Sequence, residues 1–279
     1  VARRLADELV RQFGQPVVVD NRPGAGGIAA MSEFIKASPD GYTIALATMS
    51  RLVFNRYLFR DLPYDPDRDL QPVGTILNGS MMIVADPSFS ARSLFDLVAL
   101  ARSKPGAIDF AVPANGSPPH VVLGMLMDTT RTSFSVIPYK TGADAVVQVA
   151  AGQVPLFIDA VPVVAGLVQS GKLRALGVTG KARVQQFPDV PTVAEQGYPS
   201  FVGDAWMGVV ARTGTPTPVL MRISTALNGA LKAESMRQYI EAAGAQTLVT
   251  TPDDFSRLVQ SDVVRWGKVI RDMHLTVEH

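Results

Sequence analysis

The 279-residue sequence contains no cysteine. That excludes disulfides, thiolate metal sites and cysteine nucleophiles, and suits a reducing or an oxidising compartment equally. Only three histidines are present, two of them (His274 and His279) near the end, so a multi-histidine metal site is not expected. No apolar run approaches the roughly 20 residues a membrane-spanning helix needs, and no signal-peptide pattern is visible. Neither sign of charge dominates: 26 Lys and Arg against 25 Asp and Glu leave a net charge of +1. Without a basic excess or a dense Lys/Arg block, nucleic acid is not an expected partner. What is present is a globular composition, 47% hydrophobic and 18% charged. The length exceeds the usual size of one compact core, so two α/β lobes are expected.

Val1, Leu5, Leu9 and Phe13 recur at four-residue spacing ahead of Gly14, which predicts an amphipathic helix over residues 1–13. A strand and a turn normally precede such a helix, so the first strand is expected to be missing from this chain. Val17-Val18-Val19 then predicts a strand. It leads through Asp20-Asn21-Arg22-Pro23-Gly24-Ala25-Gly26-Gly27 into a small-residue helix, and Pro39-Asp40-Gly41-Tyr42 leads into a strand at 43–47. Gly24, Gly26 and Ala29 stand at the G-x-G-x-x-A spacing of a dinucleotide loop. The acidic residue that should end the next strand is lacking, because Asp40 precedes it. The same glycines also suit a packed turn between strand and helix.

Strands and helices alternate through the middle of the chain. An apolar strand run covers 75–85, and Ser93-Leu94-Phe95-Asp96 caps a helix that stops before Pro105-Gly106. Strands follow at 108–112, 133–137, 154–158 and 175–178, with helices from about His120, at 142–151 and at 163–170. A strand at 206–211 contains Trp206, which suits the core, and residues 181–186 read as a solvated loop. Helices come last. Thr217 with Pro218, and Thr251 with Pro252, read as cap and first helical position. These helices are expected to pack on the first lobe. The predicted lobes are therefore 1–104 plus 213–279, and 105–212.

In open α/β sheets ligands sit beyond the carboxyl ends of the strands. The residues there are Thr48-Met49-Ser50, Ala114 to His120, Pro138-Tyr139-Lys140-Thr141, Asp159-Ala160 and Thr179-Gly180. They are small or hydroxyl-bearing, with few charges. Such loops expose backbone N–H groups, which favour a small anion. Ser117 and His120 could form a nucleophile and base, but no G-x-S-x-G elbow surrounds Ser117, and a helix cap ahead of Pro118-Pro119 accounts for it. Asp159 suits a cap or a ligand contact.

The order of motifs resembles a known family. Gly14-Gln15-Pro16-Val17-Val18-Val19 with Asn21-Arg22-Pro23-Gly24-Ala25-Gly26-Gly27 is followed by Pro39-Asp40-Gly41-Tyr42-Thr43 and Leu62-Pro63-Tyr64-Asp65. Then come Gly116-Ser117 with His120, Pro138-Tyr139-Lys140, Gly171-Lys172-Leu173-Arg174-Ala175-Leu176, and the run from Phe187 to Glu195. Ala205-Trp206, Gly214-Thr215-Pro216 and the last helices complete it. Across the whole chain this resembles the solute receptors of tripartite tricarboxylate transporters, the Bug family of periplasmic binding proteins.

The resemblance implies a two-lobed type II periplasmic binding protein fold, with two mixed β-sheets flanked by helices and a ligand cleft between lobes. It implies capture of a small carboxylate (mono-, di- or tricarboxylate, acidic amino acid or aromatic acid) and delivery to membrane permease subunits. No catalysis, cofactor or metal is implied, and the receptor is expected to be a periplasmic monomer. The ligand residues it implies are Thr48, Met49, Ser50, Asn115, Gly116, Ser117, His120 and Asp159; Tyr139 and Lys140 join them as strand-end residues. Three departures stand out. The family's first strand and Pro/Gly-rich ligand loop are expected to be missing from this chain, Pro118 and Pro119 remove N–H donors from a helix start, and Arg51 and Arg56 introduce charge. Arg51 is expected to pair with a second carboxylate of the ligand. Two other classes fit the same residues: a ligand-sensing domain for a membrane signalling partner, and an NAD(P)-dependent oxidoreductase.

Overall fold

A computed structural model of the chain describes residues 1–22 and 27–273. Two compact units emerge: Val1–Asn78 with Trp206–Ala242 and Gln246–His279, and Gly79–Ala205 with Ala243–Ala245. Gly24 and Gly26 of the dinucleotide-like spacing lie outside the described residues.

The first unit opens with α1 (Ala2–Phe13), which buries Leu5 and Leu9. Gly14 ends the helix in the left-handed region, at φ 66°, and donates its N–H to Val10 O. Val17–Val19 belongs to no strand, contrary to expectation, and Val18 is 88% exposed. The β preference of three valines is mostly a preference for packing against ladder neighbours, and no described strand pairs with them. After α2 (Ile28–Phe34) the chain turns at Gly41, φ 83°, where Tyr42 N donates to Asp40 Oδ1. It then enters β1 (Ala45–Thr48), a π-helical turn (Ser50–Phe54), and α3 (Asn55–Leu58). Next are α4 (Pro66–Asp69) and β2 (Leu70–Gly79).

The second unit is built on a five-stranded mixed sheet. Its elements are β3 (Met81–Ala85), α5 (Leu94–Ser103), β4 (Asp109–Pro113), α6 (Pro118–Thr130), β5 (Ser135–Tyr139), α7 (Gly142–Ala150), β6 (Leu156–Ala160), α8 (Val161–Gln169) and β7 (Arg174–Val178). Strand order is β5-β4-β6-β3-β7, with β4 parallel to β5 and β6, and β3 antiparallel to its neighbours. Met82, Val84, Ala111, Phe157 and Val178 of the sheet pack with Val146 and Val149 of α7 and Val161 and Val164 of α8. All nine are at most 7% exposed, which accounts for the long apolar strand runs.

The chain returns to the first unit through β8 (Ala205–Arg212), α9 (Thr217–Lys232), α10 (Glu234–Ala242), β9 (Ala245–Thr247) and α11 (Pro252–Asp272). Its sheet has the order β1-β8-β2-β9. Trp206 is core as expected: its ring meets Phe255 edge-on at 5.1 Å, and its Nε1 donates to the buried Asp262 at 2.6 Å.

The division differs from the expected boundaries. Residues 79–104 fall in the second unit, because both ladders of β3 run to strands of that sheet. Residues 206–212 fall in the first, because β8 pairs with β1. The apolar run at 75–85 is two strands broken at Ser80, one in each sheet.

Thr217 is not a cap. The helix starts on it, with Pro216 in the cap position and Pro218 second, and no side-chain cap bond forms. Thr251 does cap α11: its Oγ1 accepts from Asp254 N at 3.1 Å and donates to Asp254 Oδ2 at 2.6 Å. Thr251→Ala is therefore expected to lower stability by about 1 kcal/mol, read as a shift in denaturation midpoint. An unshifted midpoint would remove the cap from the account of α11.

Candidate functional site

The parallel run β5-β4-β6 places three strand ends at one edge of the second unit's sheet. In register, Pro113 lies opposite Tyr139, and Phe110 and Ala111 lie opposite Leu156 and Phe157. The antiparallel β3 begins at the same edge, with Met81 opposite Ala160, and β7 finishes there, with Val178 opposite Met82. Asn115, Gly116, Ser117, Tyr139, Lys140 and Asp159 therefore share one edge. Parallel pairing alone produces that gathering.

The loop after β4 is tightly bound. Ala114 takes φ 38°, rare outside glycine, and donates its N–H to Tyr139 O at 2.7 Å. Gly116, at φ 70°, donates its N–H to His120 Nδ1 at 3.2 Å. That bond puts the proton of the neutral ring on Nε2. Burial pushes the His120 pKa down to about 4, so the imidazole is uncharged at neutral pH. Ser117 caps α6: its Oγ accepts from His120 N and donates to Pro113 O. A capping hydroxyl with these partners is not an activated nucleophile. Asn115 and Lys140 are exposed, and Tyr139 is half-buried against the core.

Asp159 is 7% exposed at the end of β6, and burial raises its pKa to about 6. One oxygen accepts from Ala160 N at 2.7 Å. The other lies over Gly142, the first residue of α7, where an added Cβ would come within 2.0 Å of it. Gly142 is thus the residue that lets the carboxylate reach this edge.

Four neighbours complete the edge: Ser80, Thr179, Gly180 and Asp204. Ser80 Oγ donates to Asp204 Oδ1 at 2.9 Å, and a Cβ on Gly180 would meet Ser80 Oγ at 1.9 Å. Thr179, fully buried, bonds Met81 and Gly203. Sequence reasoning missed Ser80 and Asp204 as candidates. Ser80 did carry a signal, the polar break Asn78-Gly79-Ser80 in an apolar run. Asp204 carried none, because its partner lies 124 residues away.

In the first unit, Thr48 ends β1 and Ser50 begins the π-helical turn, both half-buried, while Met49 between them is 2% exposed. The Thr48 and Ser50 hydroxyls make no hydrogen bond among the described residues. π-helical turns are rare and cluster at functional sites. This one is fastened by Tyr64, whose hydroxyl donates to Arg51 O at 2.8 Å and accepts from Asn55 Nδ2 at 3.1 Å.

A family model described as the tripartite tricarboxylate transporter family receptor matches residues 1–275. The chain belongs to this family. Among relatives of this receptor, the protein BugT of Bordetella pertussis is 35% identical over 273 residues, covering 98% of this chain and 84% of its own. Among solved structures, an R. palustris protein determined with adipate aligns at TM-score 0.87 and 31% identity, covering 99% of this chain and 93% of its own. MatC of Rhodopseudomonas palustris, determined with bound malate, aligns at TM-score 0.81 and 28% identity, with 96% and 92% covered. The receptor has the α/β architecture of two mixed sheets flanked by helices that the resemblance implied. Among the described residues, no helix is long and apolar enough to cross a membrane. The receptor family is not an enzyme class, so it gives no support to the oxidoreductase reading.

Proposed function

We propose that this receptor is a periplasmic protein that binds a small carboxylate, does no chemistry on it, and delivers it to the permease of a tripartite tricarboxylate transporter. The observation that carries the reading is the family match, which spans nearly the whole chain. Two solved relatives hold adipate and malate, both carboxylates. The geometry supports the same class of ligand. On the second unit's edge, the neutral His120 has an Nε2–H with no partner among the described residues, and the exposed Asn115 lies in the loop that leads into its helix. An uncharged donor array of this kind holds an anion through hydrogen bonds. We assign ligand contact on this unit to Asn115, Gly116, Ser117, His120, Tyr139, Lys140 and Asp159, and on the first unit to Thr48, Met49 and Ser50.

A thermal-shift panel of mono-, di- and tricarboxylates, acidic amino acids and aromatic acids tests the reading. A ligand present at 100 times its Kd adds about 2.7 kcal/mol, which should raise the midpoint by several degrees in a chain of this size. A flat response across the panel would count against carboxylate capture.

A further inference from the structure

Arg51 carries a charge that the described residues do not answer. Its Nη1 donates to Leu46 O at 2.6 Å, and its Nε is buried without a hydrogen-bond partner. No carboxylate among the described residues pairs with it; the ionisable group that bears on it is the Tyr64 phenol, which burial pushes up to about 12 and so keeps uncharged at neutral pH. Arg56, five residues on, also has a buried Nε without a partner, but it has a counter-ion: it forms two bonds with Asp67, at 2.6 and 3.0 Å, and a third with Leu52 O.

The surroundings hold Arg51 in place. Its guanidinium lies against Gly27, at φ 90°, where any Cβ would fall within 2.1 Å of Nε. Glycine is therefore required there, both for its backbone angle and to leave room for the guanidinium. The Arg51 carbonyl is fixed by the hydroxyl of Tyr64, itself 3% exposed. A guanidinium stays protonated at any physiological pH. Taken partly out of water without a counter-ion it is destabilising, and breaking even with that cost needs an anion with hydrogen-bond acceptors. Its planar fork matches a carboxylate.

We propose that Arg51 is a carboxylate-binding residue of the first unit, held by Gly27 and the Tyr64-Asn55 pair to engage a carboxylate of the ligand. This rests on the carboxylate-receptor reading and extends it to a charged contact. Titration calorimetry with adipate and with malate, on the whole chain, tests it. Arg51→Gln is expected to weaken whichever acid the wild type binds by about 10- to 100-fold, without lowering the melting temperature of the unliganded protein. Arg51→Lys keeps the charge without the fork and should fall between the two. Arg51→Gln binding within twofold of wild type would overturn the assignment while leaving the receptor reading intact. A lower unliganded melting temperature, with wild-type binding by Arg51→Lys, would make the residue structural. If the wild type binds no acid of the wider panel, both readings fall.

Discussion

Asp159→Asn is expected to stabilise the protein by about 3 kcal/mol at pH 7.5 and to have little effect below pH 4. The carboxylate is 7% exposed, and burial is the leading cause of its raised pKa, offset only in part by the bond from Ala160 N. No charged side chain contributes to the shift. Its pKa of about 6 against an ordinary 3.8 means the folded chain holds the proton more tightly than the unfolded chain. The penalty is therefore absent below about pH 3.8, grows as pH rises, and is complete above about pH 6. Asparagine keeps an oxygen for the Ala160 N–H and removes the charge. Chemical denaturation followed by circular dichroism between pH 3.5 and 8 reads the effect. A stability difference that does not change across that range would dismiss Asp159 as the titrating group. An acid whose neutral replacement is more stable fits a residue placed for ligand rather than for fold, so the same variant should bind its carboxylate with altered affinity.

His120→Gln is expected to remove an acid sensitivity of similar size, about 3 kcal/mol, accumulated between pH 6.5 and 4. Here the sign is opposite. Burial lowers the imidazole pKa from 6.5 to about 4, so on acidification the unfolded chain takes up the proton first and stability is lost as pH falls through this window. Glutamine retains an acceptor for the Gly116 N–H that now bonds Nδ1. In the wild type the two groups oppose each other between about pH 4 and 6, which flattens the profile. Asp159→Asn should expose the rising limb due to His120, and His120→Gln the falling limb due to Asp159. Identical slopes in the wild type and His120→Gln would refute the histidine assignment.

Much of the secondary structure was legible because its signals are local. Gly14 ends α1, Ser93 caps α5, Ser117 with two prolines starts α6, and Thr251 starts α11, each through a bond spanning three or four residues. The errors have a shared cause. The run at 75–85 has the hydropathy of one strand, yet Ser80 splits it between two sheets, and the domain boundary moved with it. Val17–Val19 has strand composition and no ladder partner among the described strands. Composition cannot report which strands pair.

The same division holds for the site. Periodicity, caps and motif order by themselves determined the α/β class, the carboxyl-end loops and the resemblance to solute receptors, because each depends on residues near in sequence. Only the tertiary structure decided that Asp159 lies over Gly142, that Ser80 meets Asp204 across 124 residues, and that Arg56 has an acid while Arg51 has none among the described residues. These outcomes depend on burial and on distant partners. The free energy of a charge or a polar group is set by what surrounds it in space.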